Sequence, residues 1–211
     1  MTDAEAVLRY VAIGDSYTIG TSVAAHESWP AQLVARLAAA PPRTTLALVA
    51  NHALNGASAD SVVRTQLAQV AAERNLGFVS LLVGANDAVQ GVPEAVYRAD
   101  VTTILNALLG RLGPDRILGV ETPDYTVTPM GAAFGDPATR RSAIVRCNKV
   151  LGELCRERGI RFVEGILAIS SEAGLDPTLI AADGLHPSGA QYARWVSERI
   201  EPAVRELLGR A

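Results

Sequence analysis

Five apolar runs of strand length, "YVAI", "LALVA", "FVSLLV", "RILGV" and "RFVEGI", recur along the chain, separated each time by a stretch of helical periodicity. Successive side chains of a strand point to opposite faces, so a strand that is apolar throughout must be covered on both sides. Strands that alternate with helices return in parallel, because only a crossover can bring the chain back to start the next strand in the same direction. The pattern therefore predicts an α/β fold: a three-layer α/β/α sandwich around a five-stranded parallel sheet. The chain has 211 residues, 49% of them hydrophobic and 19% charged, enough to bury a sizeable core. No linker, internal repeat or low-complexity tract divides it, so residues 1–211 are expected to form a single domain.

The helical stretches carry their own boundary signals. In "SWPAQLVARLAAA", Ser28 suits an N-cap and Pro30 a first turn. "SADSVVRTQLAQVAAER", "PEAVYRADVTTILNALLGRL" and "TRRSAIVRCNKVLGELCRERG" follow with apolar residues three and four apart. A last helix is expected near Ser188, kinked or restarted by Pro202.

Charge and composition narrow the function. A formal net charge of -3 without a long basic run argues against nucleic acid as a partner. The opening "MTDAEAVLRY" lacks a secretory apolar core, and no segment reaches about 18 uninterrupted apolar residues, so no membrane anchor and a cytoplasmic location are expected. Cys147 and Cys155, eight apart on a helix, stand roughly 12 Å apart along its axis, too far for a disulfide. They read as small core hydrophobes. Neither zinc-ligand spacing nor a phosphate-binding glycine loop occurs, so no metal and no cofactor are expected.

In open parallel sheets ligands bind beyond the carboxyl ends of the strands. After the first run come Gly14, Asp15 and Ser16; after the second, "NHALNGAS" with Asn55 and Gly56; after the third, "GAND" with Gly84, Asn86 and Asp87. Near the end, "DGLHPSG" sets Asp183 three residues before His186. A serine hydroxyl is a poor nucleophile until a base within hydrogen-bond reach takes its proton, and a histidine serves only when a third group holds its orientation. Ser16, His186 and Asp183 supply those three chemical types. The oxyanion that forms on attack needs preorganised donors, for which the N–H groups of Ser16 and Gly56 and the Asn86 amide are candidates.

The ordered set "GDSYTIG", Gly56 in "NGAS", "GAND" and "DGLHP" resembles the four sequence blocks of the SGNH hydrolases, also called the GDSL esterase/lipase family. The blocks run from residue 14 to 187, nearly the whole chain. The resemblance implies a flavodoxin-like SGNH hydrolase fold and hydrolysis of a small-molecule ester through an acyl-enzyme. Matched residue by residue, Ser16 looks like the nucleophile and first oxyanion donor, Gly56 and Asn86 the other donors, His186 the base and Asp183 its orienting acid. Tyr17 departs from the leucine in the family name, which bears on the pocket lining. No G-x-S-x-G elbow is present, and the order Ser, Asp, His with the last two close together is unlike that of the α/β-hydrolases.

Asp15 reads as a structural acid that accepts backbone N–H bonds, and Asp87 as a brace behind Asn86. His26 sits in a polar loop and His52 has no acid at a fixed offset, while Trp29 and Trp195 read as packing residues. Asn55 could orient the Gly56 loop. The segment 122–137, "TPDYTVTPMGAAFGDP", is too long for an ordinary connection, and its Tyr125, Met130 and Phe134 are expected to wall an acyl pocket. Besides the serine esterase, the same site would suit an acyltransferase that passes the acyl group to an alcohol. A non-catalytic binding module has no use for Asp183 and His186 at this spacing.

Overall fold

In the computed structural model, which describes residues 6–40 and 44–209, the five apolar runs become β1 (Ala6–Gly14), β2 (Thr44–Asn51), β3 (Leu76–Leu82), β4 (Ile117–Val120) and β5 (Arg161–Val163). Part of the opening segment read for a leader, residues 1–5, lies outside the described residues. The strands pair in parallel in the order β2-β1-β3-β4-β5, a flavodoxin-like arrangement that agrees with the expected fold class. Val11, Ala12 and Ile13 are consecutive and all fully buried, which requires cover on both faces of the sheet. β5 is shorter than its apolar run because Gly165 turns the chain at φ +93° and a helix starts at Ile166.

The covering helices are α1 (Ser16–Ile19), α2 (Trp29–Ala39), α3 (Ala59–Ser61), α4 (Leu67–Ala72), α5 (Ala85–Gln90), α6 (Glu94–Leu109), α7 (Pro137–Glu157), α8 (Ile166–Ser171), α9 (Gly189–Trp195) and α10 (Glu201–Leu208). Two expected helices are interrupted by π turns. Val62–Gln66 joins α3 to α4, and Val196–Ile200 joins α9 to α10. The second π turn ends two residues before Pro202, which falls in the first turn of α10. Ser28 occupies the N-cap position of α2, but its hydroxyl donates to the Ala25 carbonyl at 2.9 Å and leaves the helix without a side-chain cap. The last helix starts near Ser188 as expected, and the Ser188 side chain caps α9 by accepting the Gln191 N–H.

Trp29 and Trp195 are fully buried packing residues, and Cys147 and Cys155 are buried free thiols. Among the described residues no helix is long and apolar enough to cross a membrane, and no group of three or more His, Cys, Asp or Glu could hold a metal ion.

Two buried amides hold the strand exits. Gln66 Oε1 accepts the Gly14 N–H at 2.8 Å, and its Nε2 donates to the Gly14 carbonyl at 2.8 Å. Asn148 treats Thr122, just past β4, in the same way at 2.8 and 3.0 Å. Backbone groups that leave a ladder must find partners elsewhere, and a side-chain amide matches one N–H and one C=O at once.

Candidate active site

The first wall grows out of the end of β1. Gly14 has φ +144°, and a Cβ there would lie 2.1 Å from the Leu82 carbonyl oxygen, so only glycine lets β1 and β3 end this close together. Asp15 then caps α1: its Oδ1 accepts the Tyr17 N–H at 3.0 Å, and its carbonyl accepts from Thr18 and Ile19. It is the structural acid expected from the sequence. Burial pushes its carboxyl up to about 8, with the charge of Asp87 adding to the effect, against the Tyr17 hydrogen bond. Burial thus favours the protonated form of the cap. Ser16 opens α1 and is 8% exposed.

The second wall follows β3. Gly84, at φ +135°, turns the chain into α5, whose first turn carries Asn86. Asn86 Nδ2 donates to the Ala57 carbonyl at 3.0 Å. Both carboxylate oxygens of Asp87 lie 3.1 Å from the Ala59 N–H, and burial raises this group to about 6. Asp87 thus braces the start of α3, where the 52–58 loop ends. That loop runs beside the exit of β1 through His52 N–H to the Ala12 carbonyl at 2.9 Å and Leu54 N–H to the Gly14 carbonyl at 3.2 Å. Gly56, at its exposed tip, has φ +76° with open space around it, so backbone conformation rather than crowding calls for glycine.

The third wall is the loop before α9. Asp183 Oδ2 lies 2.6 Å from His186 Nδ1, while Oδ1 accepts the N–H groups of Leu185 at 2.9 Å and His186 at 3.0 Å. Gly184, at φ +72°, makes this turn possible. Partial burial opposes ionisation of Asp183, but the hydrogen bonds from Ser22, the His186 ring and the two backbone N–H groups outweigh it and hold the carboxyl well below the usual carboxylate range. The His186 ring is itself close to Tyr17, with ring centroids 5.3 Å apart.

Ser16, Tyr17, Asn86 and His186 line one cavity together with Ala85, Val89, Tyr125, Phe134 and Leu185. Its empty space is about 280 Å³, including the mouth open to solvent. Segment 122–137 contributes Tyr125 and Phe134, whose rings meet edge to face with centroids 5.6 Å apart. Arg140 fixes that wall: its guanidinium donates to the Phe134 carbonyl at 2.5 Å and to the Ala88 and Val89 carbonyls at 3.0 Å each. Met130 lies outside the cavity lining; it is 49% exposed, and its backbone N–H donates to the Gly184 carbonyl at 3.0 Å. Asn55 and Gly56 also lie outside the lining. Asn55 accepts the Thr21 hydroxyl.

A larger groove lies between α7 and β5, but two of its polar side chains, the buried Asn148 and the half-buried Glu121, are already committed to the backbone. Asn148 clamps Thr122, and Glu121 accepts the N–H groups of Gly165 and Leu167 at 2.8 and 2.9 Å. His52 pairs with Glu73 at 3.1 Å, outside the cavity. Sequence reasoning missed Gln66, Arg140 and Ser22. The one local signal was for Gln66, a polar residue at an apolar position of a helical pattern.

An open parallel sheet of this strand order, with a serine, an asparagine and a histidine gathered at its carboxyl edge, places the protein among the α/β/α hydrolases. The chain belongs to the GDSL-like lipase/acylhydrolase family, whose model matches residues 12–194, and is an SGNH-type serine ester hydrolase. Its fold resembles that of TesA, with a TM-score of 0.70 at 18% identity over 94% of this chain and 99% of the other. A lipase/acylhydrolase from Enterococcus faecalis gives 0.71 at 21% identity, covering 96% of each chain. The psychrotrophic esterase EstA from Pseudoalteromonas sp. gives 0.62 at 14% identity, covering 95% of this chain and 93% of the other. No curated protein matches the sequence.

Proposed function

We propose that the protein hydrolyses esters of short-chain carboxylic acids through an acyl-enzyme on Ser16, with His186 as base and Asp183 as its orienting acid. The observation that carries this reading is the single cavity lined by Ser16, Asn86 and His186, with His186 Nδ1 held 2.6 Å from Asp183 Oδ2.

A carboxylate on Nδ1 keeps that nitrogen protonated and leaves Nε2 as the acceptor. In the reaction Nε2 takes the Ser16 proton as Oγ attacks the ester carbonyl, and Asp183 stabilises the resulting imidazolium. The tetrahedral oxyanion accepts hydrogen bonds from the Ser16 and Gly56 N–H groups and from Asn86 Nδ2, which has a second N–H beyond the one given to Ala57. Collapse expels the alcohol with the proton from Nε2. Water, activated by the same nitrogen, then releases the acid and restores Ser16.

The short acyl group follows from the walls. Val89, Phe134 and Leu185 are apolar, Tyr125 adds the face of its ring, and the water-accessible space of about 40 Å³ falls well below the roughly 300–1,000 Å³ typical of pockets that bury drug-sized ligands. Turnover of p-nitrophenyl esters should therefore peak at two to four carbons, about the chain length so small an apolar space admits. A fluorophosphonate probe should label the wild type and not Ser16→Ala. Labelling of the variant, or a preference for long acyl chains, would overturn the corresponding part of the reading.

A further inference from the structure

The turn after α1 has a costly backbone. Gly20 ends the helix at φ +82°, and Ser22 follows at φ +66°. Among the described residues only Ser22 and Asn75 combine a side chain with positive φ. Asparagine tolerates that region well, whereas serine gains little there from its own chemistry, so its presence points to a partner for the hydroxyl. The partner is Asp183: Ser22 Oγ donates to Oδ2 at 2.6 Å, the same oxygen that faces His186 Nδ1. The preceding hydroxyl, Thr21 Oγ1, donates to the Asn55 side-chain carbonyl, next to Gly56.

We propose that Ser22 is a positioning residue for ester hydrolysis, holding the Asp183 carboxylate in the orientation that receives the His186 ring. The inference rests on the triad reading above and adds to it a residue that lines no part of the acyl cavity. The Asp183 side chain is 30% exposed. With only Oδ1 tied to backbone N–H groups, Oδ2 would be open to water on the side away from the ring, and the carboxylate could turn. The Ser22 hydroxyl takes that place. Its loss broadens the orientations of the imidazole and thins the population poised for proton transfer, which lowers kcat and leaves substrate binding intact.

The test compares Ser22→Ala and Ser22→Gly with the wild type, each with Asp183 intact and in an Asp183→Ala background, by kcat and KM on p-nitrophenyl acetate and by thermal melts. With Asp183 intact, both variants should lose about tenfold in kcat, the scale of one hydrogen bond to a charged group. KM should stay within about twofold. Ser22→Gly should melt no lower than Ser22→Ala, since both lose the hydroxyl and glycine alone relieves the positive φ. In the Asp183→Ala background the Ser22 substitutions should change kcat by less than about twofold, because the group they act through is gone. Unchanged kcat in the single variants, or the same tenfold loss without Asp183, overturns the positioning role alone. Full activity in Asp183→Ala would instead overturn the triad reading and this inference with it.

Discussion

Asn86 gives one N–H of its side-chain amide to the Ala57 carbonyl at 3.0 Å, which ties the turn after β3 to the loop carrying Gly56. The bond fixes which end of the amide is nitrogen and leaves a second N–H to face the cavity. Asn86→Ala should lower kcat by about 10²–10³, the scale for one oxyanion donor, with a smaller change in KM. Asn86→Asp should be as inactive, since a carboxylate has no N–H to offer. Steady-state kinetics on both variants check this; a rise in KM alone would make Asn86 a ground-state contact.

Ser16→Ala should abolish turnover by several orders of magnitude and leave the melting temperature within a few degrees. Ser16 is at the cavity wall, and the Asp15 cap on the Tyr17 N–H does not depend on its hydroxyl. Kinetics and a melt on one sample test it. Near-normal turnover would move the nucleophile elsewhere.

Phe134 and Tyr125 contribute their rings to the cavity wall, and Arg140 pins Phe134 to the end of α5. Phe134→Ala should lengthen the preferred acyl chain, raising kcat/KM for hexanoate over acetate esters by about tenfold, within the 1–3 kcal/mol that a methylene in an apolar pocket is worth. Met130→Ala should leave that ratio unchanged, because Met130 is outside the lining. Equal effects of the two substitutions would argue against the wall.

Asp15 makes stability fall as pH rises. Its carboxyl sits at about 8 in the folded chain, raised chiefly by burial, against about 3.9 when unfolded. Between those values the native state holds a proton that the unfolded state has lost, so each step up in pH favours unfolding. Asp87, raised to about 6, adds the same sign over the lower part of the window. Asp15→Asn keeps an acceptor for the Tyr17 N–H and removes the titration. Urea midpoints at pH 5, 6.5 and 8 should decline in the wild type and decline less in Asp15→Asn; parallel curves would contradict the buried proton.

The strands, the crossover helices and the strand-end residues were legible because each is written by near neighbours. Continuous apolar runs require two covered faces, and Gly14 and Gly84 mark turns at positive φ. The spacing of Asp183 and His186 lets one carboxylate meet two backbone N–H groups and the ring. Segment 122–137 announced itself by length and apolar content, but which side chains enter the cavity was decided by how the loop folds back. Tyr125 and Phe134 turn in, while the Met130 backbone pairs with Gly184. The supports of the site are nonlocal. Gln66 clamps Gly14 across 52 residues and Ser22 reaches Asp183 across 161. Periodicity and turn chemistry operate over a few residues, whereas these bonds exist because the strand order β2-β1-β3-β4-β5 makes distant segments neighbours at one edge of the sheet.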